Sequence, residues 1–341
     1  MLKMKAIEVT KPGLIAIVQR AIPDVKEDQV LVKVKAAGIC GSDVHIYHGK
    51  NAFASYPRVV GHEFAGEIVK IGSKVKNLEI GDRVAVDPVV SCGHCYPCRI
   101  GRHNVCKTLN VLGVHRDGGY QEYIAVTGTS AYKLPDSISW KIGALVEPYT
   151  IAAQVIDRGR LTADDTVLIC GAGPIGLVIL QAVKMVGARV AIMDIIDSRL
   201  IRAKEMGADL IINAKNSDMT KEMMDFTSNE GASLIIEATA NINVLETCIQ
   251  SIAAPAGRVV VLGFTPELVK IPQVTIMSRE LDIIGTRLNN KKFPQVIEWF
   301  SKGLVQPEKI LTHTFIFDEA QKAFELSDTN QEEVCKIVLT F

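Results

Sequence analysis

From about residue 151 to residue 287 short apolar runs alternate with helix-like stretches, and this alternation restricts the fold more than any other feature of the chain. The runs fall at 167–170, 190–193, 210–212, 234–236, 259–262 and 281–284. A strand covered by helices on both faces is apolar along its length instead of alternating. Six such runs with helices between them predict an α/β unit with a doubly wound parallel sheet. Residues 1 to about 150 read as β-rich. Residues 30–35 show period-two polarity, and 66–72 and 82–87 are short β-like runs punctuated by Gly or Pro. The tail, 288–341, carries one helical stretch at 293–301 and ends in a strand-like run at 336–339. Two domains are expected, 1–150 completed by 288–341, and 151–287.

The first apolar run leads into Gly171-Ala172-Gly173-Pro174-Ile175-Gly176, and a helix is predicted over 175–186. Glycines at these places let the backbone approach a pyrophosphate, which sits on the free N–H groups of the helix N-terminus. The second run ends in Asp194, 18 positions after Gly176. An acid there accepts hydrogen bonds from the adenosine ribose hydroxyls and repels a 2′-phosphate, which favours NAD over NADP. Arg199 is expected along the adenosine. The unit reads as a Rossmann dinucleotide-binding domain.

Two sets of residues have the chemistry of metal ligands. Cys92, Cys95, Cys98 and Cys106 lie on one short stretch. Four thiolates close a tetrahedral zinc site with no open position, the structural kind. Zinc is favoured over an iron–sulfur cluster because nothing else in the chain suggests a redox relay. His94 and His103 are expected as spectators. The second set is dispersed: Cys40, His62, Glu63 and Glu147. A Cys, a His and a carboxylate fill three positions on zinc and leave one open for substrate or water. Spacing alone does not establish this second site.

The balance of charge excludes some partners. Lys plus Arg and Asp plus Glu number 38 each, so the net charge is zero. That gives no electrostatic case for nucleic acid or a membrane surface. The most apolar stretch, 167–180, is broken by Gly171, Gly173, Pro174 and Gly176 and is shorter than the ~18 residues of a membrane span. No apolar segment resembling a signal peptide follows Met1, so a cytoplasmic protein is expected. In that reducing compartment a cysteine cluster reads as metal thiolate, not disulfide.

The motifs Gly38-Ile39-Cys40-Gly41-Ser42-Asp43, Gly61-His62-Glu63-Phe64-Ala65-Gly66-Glu67, the four cysteines, Glu147-Pro148 and Gly171–Gly176 occur in one order. In this the chain resembles the zinc-dependent medium-chain dehydrogenases/reductases from end to end. It is most similar to their polyol and sugar-acid branch, which includes sorbitol, threonine, L-gulonate and L-galactonate dehydrogenases. The resemblance implies a GroES-like catalytic domain built from both chain ends, a Rossmann domain inserted between them, and a homodimer or homotetramer. It implies one catalytic and one structural zinc, with Cys40 and His62 as catalytic ligands. It leaves open whether Glu63 or Glu147 approaches the metal directly. Ser42 and His45 match the family's proton relay, and Gly263 joins the NAD-binding set. The implied reaction is hydride transfer from a secondary alcohol to NAD, with a sugar acid as the expected substrate. A carboxylate substrate needs a cation or a fork of donors. Arg287, just after the last predicted strand, and His115 are the candidates. A neutral polyol or threonine dehydrogenase is the nearest alternative. A nucleotide-sensing regulator is a more distant one, and the joint presence of Cys40, Ser42, His62, Glu63 and Glu147 argues against it.

Overall fold

The chain divides into two units in this computed structural model, which describes residues 2–330 and 332–341. The first unit takes the chain up to Thr150 together with Asn289–Gly303 and Leu311–Phe341; the second takes Ile151–Leu288 and Leu304–Ile310.

In the first unit, strands run in the order Ala131–Lys133, Arg83–Val86, Glu63–Ile71, Gln29–Ile39, Lys336–Thr340 and Leu311–Ile316, with Tyr123–Thr127 also paired to Gln29–Ile39. A smaller sheet orders Leu14–Ala21, Lys3–Lys11 and Arg58–Val59. The last strand of the chain lies antiparallel to Gln29–Ile39, with Ile337 opposite Ile39 and Thr340 opposite Ala36. The other flank of Gln29–Ile39 pairs with Glu63–Ile71, placing Gly38 opposite Glu63. Three strands distant in sequence thus end side by side. Val30, Val32 and Val34 are buried, as the period-two pattern requires of an inward face. The adjoining residues Ala36, Ala37 and Ile39 are buried as well, so the end of this strand is covered on both faces.

The second unit is a six-stranded parallel sheet. Its strands are Thr166–Cys170, Arg189–Asp194, Leu210–Asn213, Ala232–Glu237, Ala253–Val261 and Asp282–Gly285, in spatial order 3-2-1-4-5-6 along the chain. This is the doubly wound Rossmann order. Val167, Leu168, Ile169 and Cys170 are all fully buried, which accounts for the unbroken apolar run. The helix Pro174–Val186 opens on a proline, whose missing N–H costs nothing in the first turn, and closes on Gly187 with φ +96°.

The tail differs from the sequence expectation. Besides the helix Phe293–Ser301 it holds a second, Ala320–Thr329, and a strand, Leu311–Ile316. The second helix buries only Ala320, Ala323 and Phe324, an inward stripe too weakly apolar to stand out in sequence. Residues 304–310 lie with the second unit, where exposed Gln306 is reciprocally bonded to buried Gln181. Gln306 N donates to Gln181 Oε1 at 2.8 Å, and Gln181 Nε2 donates to Gln306 O at 3.2 Å. Among the described residues no helix is long and apolar enough to cross a membrane.

Candidate active site

Cys40 follows the strand Gln29–Ile39 and caps the helix Gly41–Tyr47; Glu63 opens the neighbouring strand and His62 directly precedes it. A ligand atom from each of Cys40, His62 and Glu63 lies within 4.8 Å of the other two. His62 and Glu63 are buried. Glu147, at the start of the helix Val146–Arg158, is also buried but does not join that trio. Burial pushes the Glu147 carboxyl up to about 8; His62 opposes the rise and Glu63 adds to it.

Asp43, fully buried, organises this corner. Its Oδ2 accepts from Cys40 N at 2.9 Å, and its Oδ1 accepts from Gly61 N at 3.1 Å. Tyr120 Oη lies 2.8 Å from Gly38 O and 3.2 Å from Asp43 Oδ2. His62 Nδ1 faces Asp43 Oδ1 at 3.4 Å. With Nδ1 turned to a carboxylate, Nε2 is the nitrogen left for a metal. Burial works against a proton on His62, yet Asp43 and Cys40 raise its pKa well above the usual value, so this corner favours positive charge. Glu63 Oε1 receives Lys336 Nζ at 2.6 Å, while Glu63 Oε2, buried, has no hydrogen-bond partner among the described residues. A buried carboxylate oxygen without a partner is costly. A cysteine sulfur, an imidazole and a Glu63 carboxylate oxygen form the donor set of an open zinc site, so the residues fit the metal.

Asp43, Tyr120 and Lys336 were not evident from the sequence as site residues. Asp43 lies within the Cys40 motif, and Lys336 is a charge opening an apolar strand. Such a buried charge must have a partner, and that was the available signal.

The four cysteines also come together. Sγ atoms of Cys92, Cys95, Cys98 and Cys106 lie within 4.8 Å of one another, with Cys95 to Cys98 at 3.5 Å and Cys95 to Cys106 at 3.8 Å. With Zn–S bonds of about 2.3 Å, the edge of a ZnS4 tetrahedron is ~3.8 Å. Backbone N–H groups of Cys92, Cys95 and Lys107 point at the sulfurs of Cys106, Cys92 and Cys95 at 3.3, 3.4 and 3.4 Å. Amides of His94 and Cys95 bring the Cys92 thiol down to about 5. His94 bonds Cys92 O and His103 faces Ser91, so neither imidazole enters the cluster.

In the second unit, Gly171 has φ +103° and Gly176 packs so tightly that a Cβ on it would overlap Gly171 O. A Cβ on Gly173 would meet nothing within 4 Å. A tight turn with open space over its middle glycine is a phosphate cradle. Asp194 closes the next strand; its Oδ2 accepts from Ala172 N at 2.8 Å and its Oδ1 from Ile195 N at 2.7 Å. Arg199 Nη1 stands 3.7 Å from Asp194 Oδ2. Gly263 follows the fifth strand, and a Cβ there would overlap Glu237 Oε2.

Ser42 is half-buried and His45 exposed on the helix Gly41–Tyr47. His115 Nδ1 accepts from Val111 N at 3.1 Å, which leaves the ring proton on Nε2 of the neutral form. Arg287 is exposed just beyond the last strand of the parallel sheet.

A dinucleotide cradle in one unit and a thiolate–imidazole–carboxylate cluster with a separate four-thiolate knot in the other define a zinc-type oxidoreductase. Residues 26–136 match the alcohol dehydrogenase GroES-like domain, and residues 174–302 match the zinc-binding dehydrogenase domain. The chain belongs to the zinc-type medium-chain alcohol dehydrogenase family. It is 48% identical over 340 residues to the starvation-sensing protein RspB of Escherichia coli K12, covering 99% of each chain. It is also similar to the crystal structure of an alcohol dehydrogenase (rspB) from E. coli CFT073 complexed with the cofactor NADH. There the TM-score is 0.95 and the identity 47%, over 99% of each chain. L-galactonate-5-dehydrogenase of E. coli K12 is 33% identical over 325 residues, 95% of each chain.

Proposed function

We propose that this protein is an NAD-dependent zinc dehydrogenase that oxidises a secondary alcohol of a sugar acid, of the L-gulonate or L-galactonate type, to the keto acid. The observation that carries the reaction class is the cluster of Cys40, His62 and Glu63 with the unpartnered Glu63 Oε2. Cys40, His62 and Glu63 would hold the catalytic zinc, with Glu147, outside the trio, as the further carboxylate of the set. Cys92, Cys95, Cys98 and Cys106 hold the structural zinc. When bound, zinc would polarise the substrate oxygen and NAD would accept the hydride.

The chain's own residues do the rest. Asp43 fixes the His62 ring. Ser42 takes the hydroxyl proton, and His45, three residues on and so on the same helix face, releases it to solvent. Gly171, Gly173, Pro174, Ile175 and Gly176 seat the pyrophosphate, with Gly263 bordering the nucleotide. Asp194 receives the adenosine ribose, with Arg199 beside it, which supports NAD over NADP. Similarity to an NADH complex supports the same choice. Arg287 and His115 contact the substrate, Arg287 through its carboxylate. Similarity to L-galactonate-5-dehydrogenase supports a sugar acid.

The protein acts in the cytoplasm as a homodimer or homotetramer. Support for assembly lies in the edge strand Asp282–Gly285 and its neighbour Gln273–Met277, which expose Ile283, Val274 and Met277 at 39, 61 and 68%. An unpaired apolar edge invites a second copy.

The deciding experiment is turnover of L-gulonate, L-galactonate, sorbitol and threonine with NAD and NADP. Preference for an aldonate with NAD is expected. Preference for sorbitol or threonine would replace the substrate, and tight NAD binding without turnover would revive a regulatory role. Arg287→Ala should weaken aldonate turnover more than polyol turnover. His45→Ala should displace the pH–rate profile.

A further inference from the structure

The proposed reaction leaves Lys336 without a task. It opens the last strand, Lys336–Thr340, next to Gln29–Ile39, whose Gly38 is paired with Glu63 on the far side. The Lys336 and Glu63 side chains are only 3 and 1% exposed. Lys336 Nζ reaches Glu63 Oε1 at 2.6 Å and donates to Ile39 O at 3.1 Å. Gly38 crowds the carboxylate from the other direction, since a Cβ there would overlap Glu63 Oε2. One oxygen of Glu63 is therefore tied down, and the other, Oε2, has no partner among the described residues. Burying an ammonium and a carboxylate together contributes little to stability by itself. The two strands that flank Gln29–Ile39 nevertheless bring this pair together, with Glu63 beside Cys40 and His62.

We infer that Lys336 is a positioning residue: by holding Glu63 Oε1 it fixes Oε2 as the single oxygen Glu63 offers to a metal shared with Cys40 and His62. The inference rests on the metal-site reading above. A free carboxylate rotates and can offer one oxygen or both; the lysine removes that freedom. Two effects of the lysine oppose each other. Its charge repels a bound cation and would weaken metal binding, whereas ordering the ligand strengthens it. Removing the lysine therefore separates a mere charge from a positioning residue.

The test uses the full chain, stripped of metal by a chelator and titrated with Zn2+ and Co2+ against a chelating dye. Metal per chain and the visible Co2+ spectrum are read together. The wild type should take two ions. In Lys336→Met the four-cysteine ion should bind as before, while the second ion binds ~10–100-fold more weakly with a shifted spectrum. Lys336→Arg should recover most of the affinity. Unchanged or tighter binding in Lys336→Met would overturn the inference. If Lys336→Met fails to fold around an unpaired Glu63, the pair Glu63→Gln and Glu63→Gln/Lys336→Met decides. Equal or tighter binding in the double variant is expected, because the lysine then has no carboxylate to pin and its charge only repels the ion; a further loss in the double variant would overturn it. One ion per wild-type chain, unchanged by His62→Ala, would remove the metal-site reading and the inference with it. Stoichiometry tells that result apart from a failure of the lysine alone.

Discussion

At the residue scale, the site depends on side chains that support the ligands more than on the ligands' own positions in the chain. Asp43 accepts two backbone N–H bonds and stands 3.4 Å from His62 Nδ1, so it braces the turn after Cys40 and puts a carboxylate beside the imidazole. Asp43→Asn keeps the shape and loses the charge. It should lower metal affinity at the Cys40–His62–Glu63 cluster about 10–100-fold, measured by chelator competition, and leave the four-cysteine site intact. Asp194 is the second such residue. Replacing it by Gly removes the carboxylate that, in the proposed function, repels a 2′-phosphate. Asp194→Gly should cut kcat/KM for NAD and raise it for NADP, each by about tenfold or more, equivalent to ~1.4 kcal/mol, in steady-state assays. Cys40, His62, Glu63 and Asp194 could be singled out in the sequence because each stands in a short motif, the first three through the family order of those motifs. Lys336 was not, because its partner Glu63 is 273 residues away in sequence.

At the scale of elements, the glycine turn and the cysteine loop are local structures encoded almost entirely by adjacent residues. The turn works because Gly176 lies against Gly171 O with no room for a methyl. Gly176→Ala must displace backbone, not a flexible side chain. It should cost ~1–3 kcal/mol of stability and abolish measurable NADH binding by fluorescence titration. The helix Phe293–Ser301 and the strand Lys336–Thr340 begin and end within a residue of the sequence expectation, since both carry strong apolar patterns. The helix Ala320–Thr329 escaped notice because its buried face is two alanines and one phenylalanine. Glu147 shows the limit for elements. Its motif placed it among ligands, but the helix Val146–Arg158 leaves its carboxylate outside the trio.

At the scale of the whole molecule, long-range pairs stitch each unit and set its response to pH. Asp165, 4% exposed, accepts from Ser233 Oγ at 2.6 Å and Thr162 N at 2.8 Å and pairs with Arg258. Burial opposes its charge, but Ser233, Thr162 and Arg258 together hold its pKa below the usual carboxylate range. Its stabilising contribution is therefore complete above the unfolded-state value of ~3.9 and is lost as pH falls through the lower folded-state value. Asp165→Asn should cost about 3 kcal/mol at pH 7 by denaturant unfolding. The gap from wild type should begin to narrow below about pH 4, as the wild-type carboxylate takes up its proton.

The amino-acid sequence by itself determined the order of the six parallel-sheet strands along the chain, the dinucleotide turn and the cysteine loop. Each of these is written in residues close enough to constrain one another through local geometry, periodicity or spacing. Tertiary structure alone decided that Gln29–Ile39 lies between Glu63–Ile71 and the chain's last strand, which brings Gly38, Glu63 and Lys336 to one point. It alone separated Glu63 from Glu147 as the carboxylate beside Cys40 and His62. The physical reason is that strand pairing across hundreds of residues is selected by burial and hydrogen-bond satisfaction of the whole sheet. No short stretch of sequence carries that information.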